Sequence, residues 1–195
     1  MVRSRTLWAT AALLAAALGV AAVPATAAPA TAAPAAATRA AAACPTGWGS
    51  LGKTHSAGTA TPLTNVRTGR HDCYDRFVVD VPGAGAAELG FSVAYVDRLY
   101  QDGSGRPIAV GGGAVLEVRV DAPSYDPETG TPTYPGRVAQ PLPGVNLAGY
   151  STFRDTRYAG SFEGVTQFGL GVRAHLPFRV QRLADHLVVD VAHTW

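Results

Sequence analysis

The sequence is poor in lysine, and its charges are nearly balanced. The 195 residues include 16 Lys plus Arg against 14 Asp plus Glu, and Lys53 is the only lysine. Without a basic stripe to meet the phosphates, a nucleic-acid partner is not expected.

Helical periodicity and catalytic or metal-binding motifs are also missing. No window of 12 residues after position 44 carries the apolar stripe of an amphipathic helix. Gly160 to Gly164 reads GSFEG, which lacks the Gly-x-Ser-x-Gly of a nucleophile elbow. His71, Asp72 and Cys73 are adjacent, so in a strand they face opposite ways and cannot form a relay. The five histidines contain no His-x-x-x-His. We therefore predict no enzymatic activity, no metal site and no cofactor.

The N-terminus has the order of a secretory signal peptide. Arg3 and Arg5 precede an uncharged run from Leu7 to Val23, and small residues follow at 25–27. We predict a signal peptide at 1–27, hence a secreted chain without a stable membrane span after cleavage. The alternative is a retained anchor, for which 17 residues diluted by Ala and Gly are short.

The next segment contains little that a fold could bury. Residues 28–43 read APATAAPAAATRAAAA, and we predict a disordered linker. From Cys44 to Trp195 run 152 residues, the usual size of one domain.

The two cysteines, Cys44 and Cys73, are most simply a disulfide in an oxidising exterior. Lipidation of Cys44 is the competing interpretation, since Ala41 to Ala43 are small. The cysteine lies some 20 residues beyond the apolar run, however, and no Leu stands three positions before it.

Alternating apolar residues predict strands throughout the last 120 residues, with turn signals between them, among them Tyr158-Ala159-Gly160. The fold class expected is all-β, a single antiparallel β-sandwich domain over 44–195. The predicted strands cover Arg76–Val81, Leu89–Tyr95, Leu116–Val120, Phe168–Val172, Phe178–Val180 and Leu187–Val191.

Two of these strands repeat one pattern. Residues 75–81 (DRFVVDV) and 185–191 (DHLVVDV) have the same apolar face and an Asp at the same place. They are matching strands in two halves of a pseudo-symmetric sandwich, or they have converged by chance. Asp80 and Asp190 are expected to pair with Arg on neighbouring strands.

The sequence resembles the AMIN-like module of secreted or lipid-anchored actinobacterial proteins and, more distantly, the AMIN domain of bacterial envelope proteins. The resemblance covers roughly 60–195 and rests on three stretches. They are RTGRHDCYDRF at 67–77, YAGSFEG at 158–164 and QFGLGVR at 167–173.

AMIN domains are β-sandwiches that localise partners to the envelope and are thought to bind peptidoglycan. The resemblance therefore implies a non-catalytic module of the cell envelope, with peptidoglycan or an envelope protein as partner. No amidase or secretin domain follows in this sequence. A secreted protein-interaction or inhibitor domain without cell-wall affinity is the alternative, and the Pro-rich stretch 123–143 is either its inhibitory loop or a loosely ordered surface excursion.

A binding face would combine guanidinium groups for carboxylates with rings that stack on sugars. Glycines at alternate strand positions would add a shallow strip, or else make room for a bulky neighbour such as Trp48 or Trp195. The candidate ligand-binding residues are Arg67, Arg70, His71, Tyr74, Arg76, Gly169 and Gly171.

Overall fold

A computed structural model describes residues 43–195, which form two antiparallel β-sheets packed face to face. The predicted all-β sandwich is confirmed. The predicted signal peptide (1–27) and all but the last residue of the predicted linker (28–43) lie outside the described residues. Between residues 43 and 195 there is no helix long and apolar enough to cross a membrane.

One sheet has five strands in the order β1-β4-β7-β9-β8, and the other has four in the order β10-β11-β3-β2. Strands β5 and β6 form a separate two-stranded hairpin that is hydrogen-bonded to neither sheet. The strands are β1 (Lys53–His55), β2 (Asn65–Arg70), β3 (Tyr74–Asp80), β4 (Phe91–Val96), β5 (Leu99–Tyr100), β6 (Pro107–Ile108), β7 (Ala114–Val120), β8 (Phe153–Phe162), β9 (Val165–Val172), β10 (Phe178–Leu183) and β11 (His186–Ala192).

The core lies between the two sheets and is built by the alternating residues. Phe77 and Val79 of β3 are fully buried, and the Phe77 ring meets Phe168 of β9 edge to face at 5.6 Å. Residues between these inward positions, such as Arg76 and Asp80, lie on the outer face of the four-stranded sheet. Each predicted strand is found, with ends that differ by up to three residues.

The turn predicted at 158–160 is wrong. These residues lie inside β8, where a β-bulge between Tyr158 and Gly160 shifts the register. The chain reverses later, at Glu163 and Gly164, whose φ angles are +48° and +80°. Gly160 has φ +125° because it is part of the bulge. The glycine therefore indicates an unusual backbone conformation, but within a strand and not in a turn.

The two repeated segments form neighbouring strands of one sheet. In the β3–β11 ladder Val78 pairs with Val188, Arg76 with Asp190, and Asp80 with His186. The two segments therefore do not lie one in each of the two facing sheets. The pairing instead relates them by an approximate local twofold axis at Val78 and Val188.

The Pro-rich segment 123–143 is anchored, which corrects the expectation of a loose excursion. Tyr134 and Leu142 are 3% and 2% exposed and belong to the core. Ala139 donates its backbone N–H to the Tyr158 carbonyl, and Tyr158 donates to the Gln140 carbonyl. The segment thus covers part of the free edge of β8.

The predicted disulfide between Cys44 and Cys73 is present, with the two Cα atoms 5.3 Å apart. It attaches the chain before β1 to the turn between β2 and β3. A hydrogen bond also holds this segment to β10, because the Gly49 carbonyl accepts from the Phe178 N–H at the start of that strand. Trp48 is thereby held beside the four-stranded sheet.

Candidate ligand-binding face

The outer face of the four-stranded sheet carries a row of charged residues at one level. Strand register aligns Arg179 of β10, Asp190 of β11, Arg76 of β3 and Gly69 of β2. Paired residues of adjacent strands share a face, so the three charged side chains meet. We call Arg76, Asp190 and Arg179 the guanidinium triad.

Asp190 is the centre of the guanidinium triad and is fully buried. Its carboxylate accepts bonds from Arg76 Nε (2.7 Å) and Nη2 (2.9 Å) and from Arg179 Nε (2.8 Å). The hydrogen bonds to Asp190 raise the pKa of Arg76. The two arginine side chains are 28% and 31% exposed, so the triad presents one net positive charge and several guanidinium N–H groups to solvent.

Aromatic rings surround the guanidinium triad. Tyr74 stacks on His71 with centroids 4.5 Å apart, and it meets Trp48 edge to face at 5.5 Å. The Arg179 guanidinium lies over Trp48 at 4.5 Å, and that of Arg76 lies 5.3 Å from the Tyr74 centroid. These contacts hold flat apolar surfaces and cationic donors side by side.

The other end of the face repeats the arrangement around Asp80. Arg67 donates from Nε to Asp80 Oδ2 at 3.0 Å, and Asn65 Nδ2 donates to the same oxygen at 3.0 Å. His186 Nδ1 lies 2.9 Å from Asp80 Oδ1, but the angles between the two groups do not allow a hydrogen bond. The expectation that both aspartates pair with Arg of neighbouring strands is confirmed.

Four of the predicted binding residues share this outer face: Arg67, His71, Tyr74 and Arg76. Arg70 does not, because it pairs with Asp75, whose buried side chain faces the core side of the sheet. Arg70 Nη1 instead approaches the Gly149 carbonyl at 3.5 Å.

The expected position of the two glycines beside the arginines is wrong. Gly169 and Gly171 lie in β9 of the five-stranded sheet and are buried. A Cβ on Gly169 would lie 2.5 Å from Leu99 Cδ2, and one on Gly171 would lie 1.7 Å from the Gly111 carbonyl oxygen. They accommodate the β5-β6 hairpin and the chain after it, and neither a ligand nor Trp48 or Trp195.

Two residues of the face, Trp48 and Arg179, were not among the predicted ones. Alternation in the strand Phe178–Val180 does place Arg179 on the outer face, but only the strand order shows which aspartate it meets. Trp48 precedes every strand, so its position depends on the disulfide and on the Gly49 hydrogen bond.

Comparison with known proteins identifies the family of the chain and no individual relative. No curated protein and no solved structure matches the chain. The family model of the AMIN-like domain matches residues 61–193, about two thirds of the sequence and all but the first strand of the sandwich. The chain therefore belongs to the AMIN-like domain family.

Proposed function

We propose that this chain is an exported, non-catalytic module of the cell envelope that binds peptidoglycan on the outer face of its four-stranded sheet. The observation that carries the proposal is the guanidinium triad with its aromatic neighbours. Guanidinium groups recognise carboxylates through paired N–H donors, and rings such as Tyr74 and Trp48 stack on sugars. Peptidoglycan offers both carboxylates and sugar rings.

The buried carboxylate of Asp190 makes the face suitable for binding. Because Asp190 fixes Arg76 and Arg179 before any ligand arrives, little side-chain entropy remains to be lost on binding. A flat sheet surface can also meet an extended polymer over several of its units. Asp80 and Arg67 at the far end supply a second, more exposed guanidinium for a longer ligand.

Two further features support an envelope location. Membership of the AMIN-like family fits association with the envelope. A disulfide between Cys44 and Cys73 fits an oxidising compartment outside the cytoplasm, as does the predicted signal peptide at 1–27. The domain division, with a linker at 28–43 and one domain at 44–195, is part of this proposal.

Co-sedimentation with purified cell-wall sacculi tests the function. We expect the wild-type protein in the pellet, and we expect Arg76→Gln to pellet roughly tenfold less, since a charge-assisted pair is worth about 1.5 kcal/mol or more. Asp190 keeps Arg179 as a partner in this variant. Arg106→Gln is the matched control, because it removes an exposed guanidinium from the turn between β5 and β6.

Each contrary result has its own meaning. Wild-type protein that stays wholly in the supernatant would contradict peptidoglycan binding and favour the alternative of a protein-interaction domain. Equal pelleting of Arg76→Gln and Arg106→Gln would show that binding uses another surface.

A further inference from the structure

An apolar cleft of about 370 Å³ adjoins the guanidinium triad. It lies between the segment before β1 and the end of β11. Its walls include Cys44, Pro45, Trp48, Pro177, Ala192 and Trp195. None of these side chains is charged, and the volume is at the small end of the range for small-molecule sites.

The cleft and the triad are on the same face of the sheet. Ala192 lines the cleft and pairs with Tyr74, an outward-facing residue. It is two positions after Asp190 in β11, so it lies on the same face at roughly 7 Å. Trp48 connects the two places, because it lines the cleft and stands 4.5 Å from the Arg179 guanidinium.

The charge beside the cleft defines what the cleft would take. Arg76 and Arg179 share one carboxylate, so the triad keeps a net positive charge at the margin of a cavity whose lining side chains are uncharged. A ligand that fills the cleft and is complementary to this margin has an apolar body and one anionic end. A neutral apolar molecule would leave the outward N–H groups of Arg179 with water alone.

We propose that this composite site binds a small carboxylic acid with an apolar ring, the ring between Trp48 and Trp195 and the carboxylate on Arg179. Most of the cleft lies outside the residues that match the AMIN-like model. The proposal does not depend on peptidoglycan as the ligand of the face.

The chain carries its own optical probe of the cleft. Its three tryptophans are Trp8, Trp48 and Trp195, and the last two line the cavity. In a Trp8→Phe chain the indole fluorescence therefore comes from the cleft alone. We would titrate this chain with 3-phenylpropanoate and, in parallel, with 3-phenylpropan-1-ol, which has the same ring and no carboxylate.

We expect a saturable fluorescence change with the acid, with a Kd below about 1 mM, and roughly tenfold weaker binding of the alcohol. Isothermal titration calorimetry should show that Arg179→Gln and Trp195→Ala each weaken the acid about tenfold or more. Arg106→Gln should match the wild type. Trp195 is 77% exposed, so its replacement should leave the fold intact.

Three results would overturn the proposal: no saturable change with the acid, equal affinity for acid and alcohol, or unaltered affinity of Trp195→Ala. Sacculus binding distinguishes a failure of this proposal from a failure of the proposed peptidoglycan binding. Trp195→Ala should still pellet with sacculi, because it leaves the guanidinium triad intact. A protein that pellets but does not bind the acid would contradict the cleft proposal alone.

Discussion

Two tyrosines at one place in the core differ in a single hydrogen bond. Tyr134 and Tyr158 have ring centroids 5.7 Å apart, and both are at least nine-tenths buried. The Tyr158 hydroxyl lies 2.6 Å from Ser124 Oγ, whereas that of Tyr134 has no partner among the described residues. Burial raises the pKa of both phenols.

We therefore expect a Tyr→Phe substitution to have opposite effects on the free energy of unfolding at the two positions. Tyr134→Phe removes an unsatisfied hydroxyl, so the free energy of unfolding should stay equal or rise by up to about 1 kcal/mol. Tyr158→Phe leaves the Ser124 hydroxyl without its partner and should lower it by about 1–2 kcal/mol. Urea denaturation measures both, and a Tyr134→Phe protein less stable than Tyr158→Phe would contradict this account.

At the scale of single residues, the sequence indicated chemistry better than position. Arg67, His71, Tyr74 and Arg76 are predicted together because guanidinium groups suit carboxylates and rings suit sugars, and strand pairing shows that they share one face. Arg179 could not be joined to them, because its partner Asp190 follows from strand pairing and not from spacing. The glycines of β9 indicated a close approach, but nothing in the sequence says which backbone approaches.

Among the elements, the segment before β1 depends most on a single bond. The disulfide closes a loop with a sequence separation of 29 residues, and the same segment forms one wall of the cleft. In the chain-entropy model, closing a loop of this length stabilises the fold by about 3 to 4 kcal/mol.

Replacing both cysteines by serine should therefore lower the free energy of unfolding by about 3 kcal/mol, as measured by urea denaturation. The sandwich core lies elsewhere, so far-UV circular dichroism should remain that of a β protein. Arg106→Gln again serves as the control. Stability equal to that of the wild type would show that the segment is held by Trp48 and Gly49 without the disulfide.

Strands with a long apolar pattern were the ones the sequence predicted. β7 alternates cleanly because one of its faces meets the core, and β11 shows as an apolar run although every residue from Leu187 to Ala192 is buried. β5 and β6 have two residues each, too few to show a period. β8 was missed because its bulge at Tyr158 and Gly160 breaks the alternation and carries a glycine that resembles a turn.

At the scale of the whole molecule, buried phenols set the response to alkali. Burial raises the pKa of Tyr95 from 10.0 to about 12, although the Leu176 backbone N–H donates to its phenol oxygen at 3.0 Å, which favours the phenolate. The pKa values of Tyr134 and Tyr158 are raised by burial as well. The unfolded chain thus loses these protons at lower pH than the folded one.

The contribution of these buried phenols to the free energy of unfolding should accordingly be fully present below pH 10 and should be lost as the pH rises from 10 through about 12. For Tyr95 the loss should reach about 1–2 kcal/mol, after allowance for its partial exposure. Denaturation curves at stepwise pH would measure it. Tyr95→Phe should be less stable at neutral pH, since Leu176 loses a partner, but should show a shallower alkaline decrease. An equal slope would assign the effect to other groups.

The Pro-rich segment 123–143 affects how readily the edge of β8 can pair with another molecule. Its hydrogen bonds through Ala139 and Gln140 occupy backbone groups of Tyr158 that a bare edge strand would offer to another chain. An exposed strand edge is a template on which another copy can add its own strand. Because the segment 123–143 occupies this part of the β8 edge, fewer backbone groups there are free to pair with a neighbouring molecule.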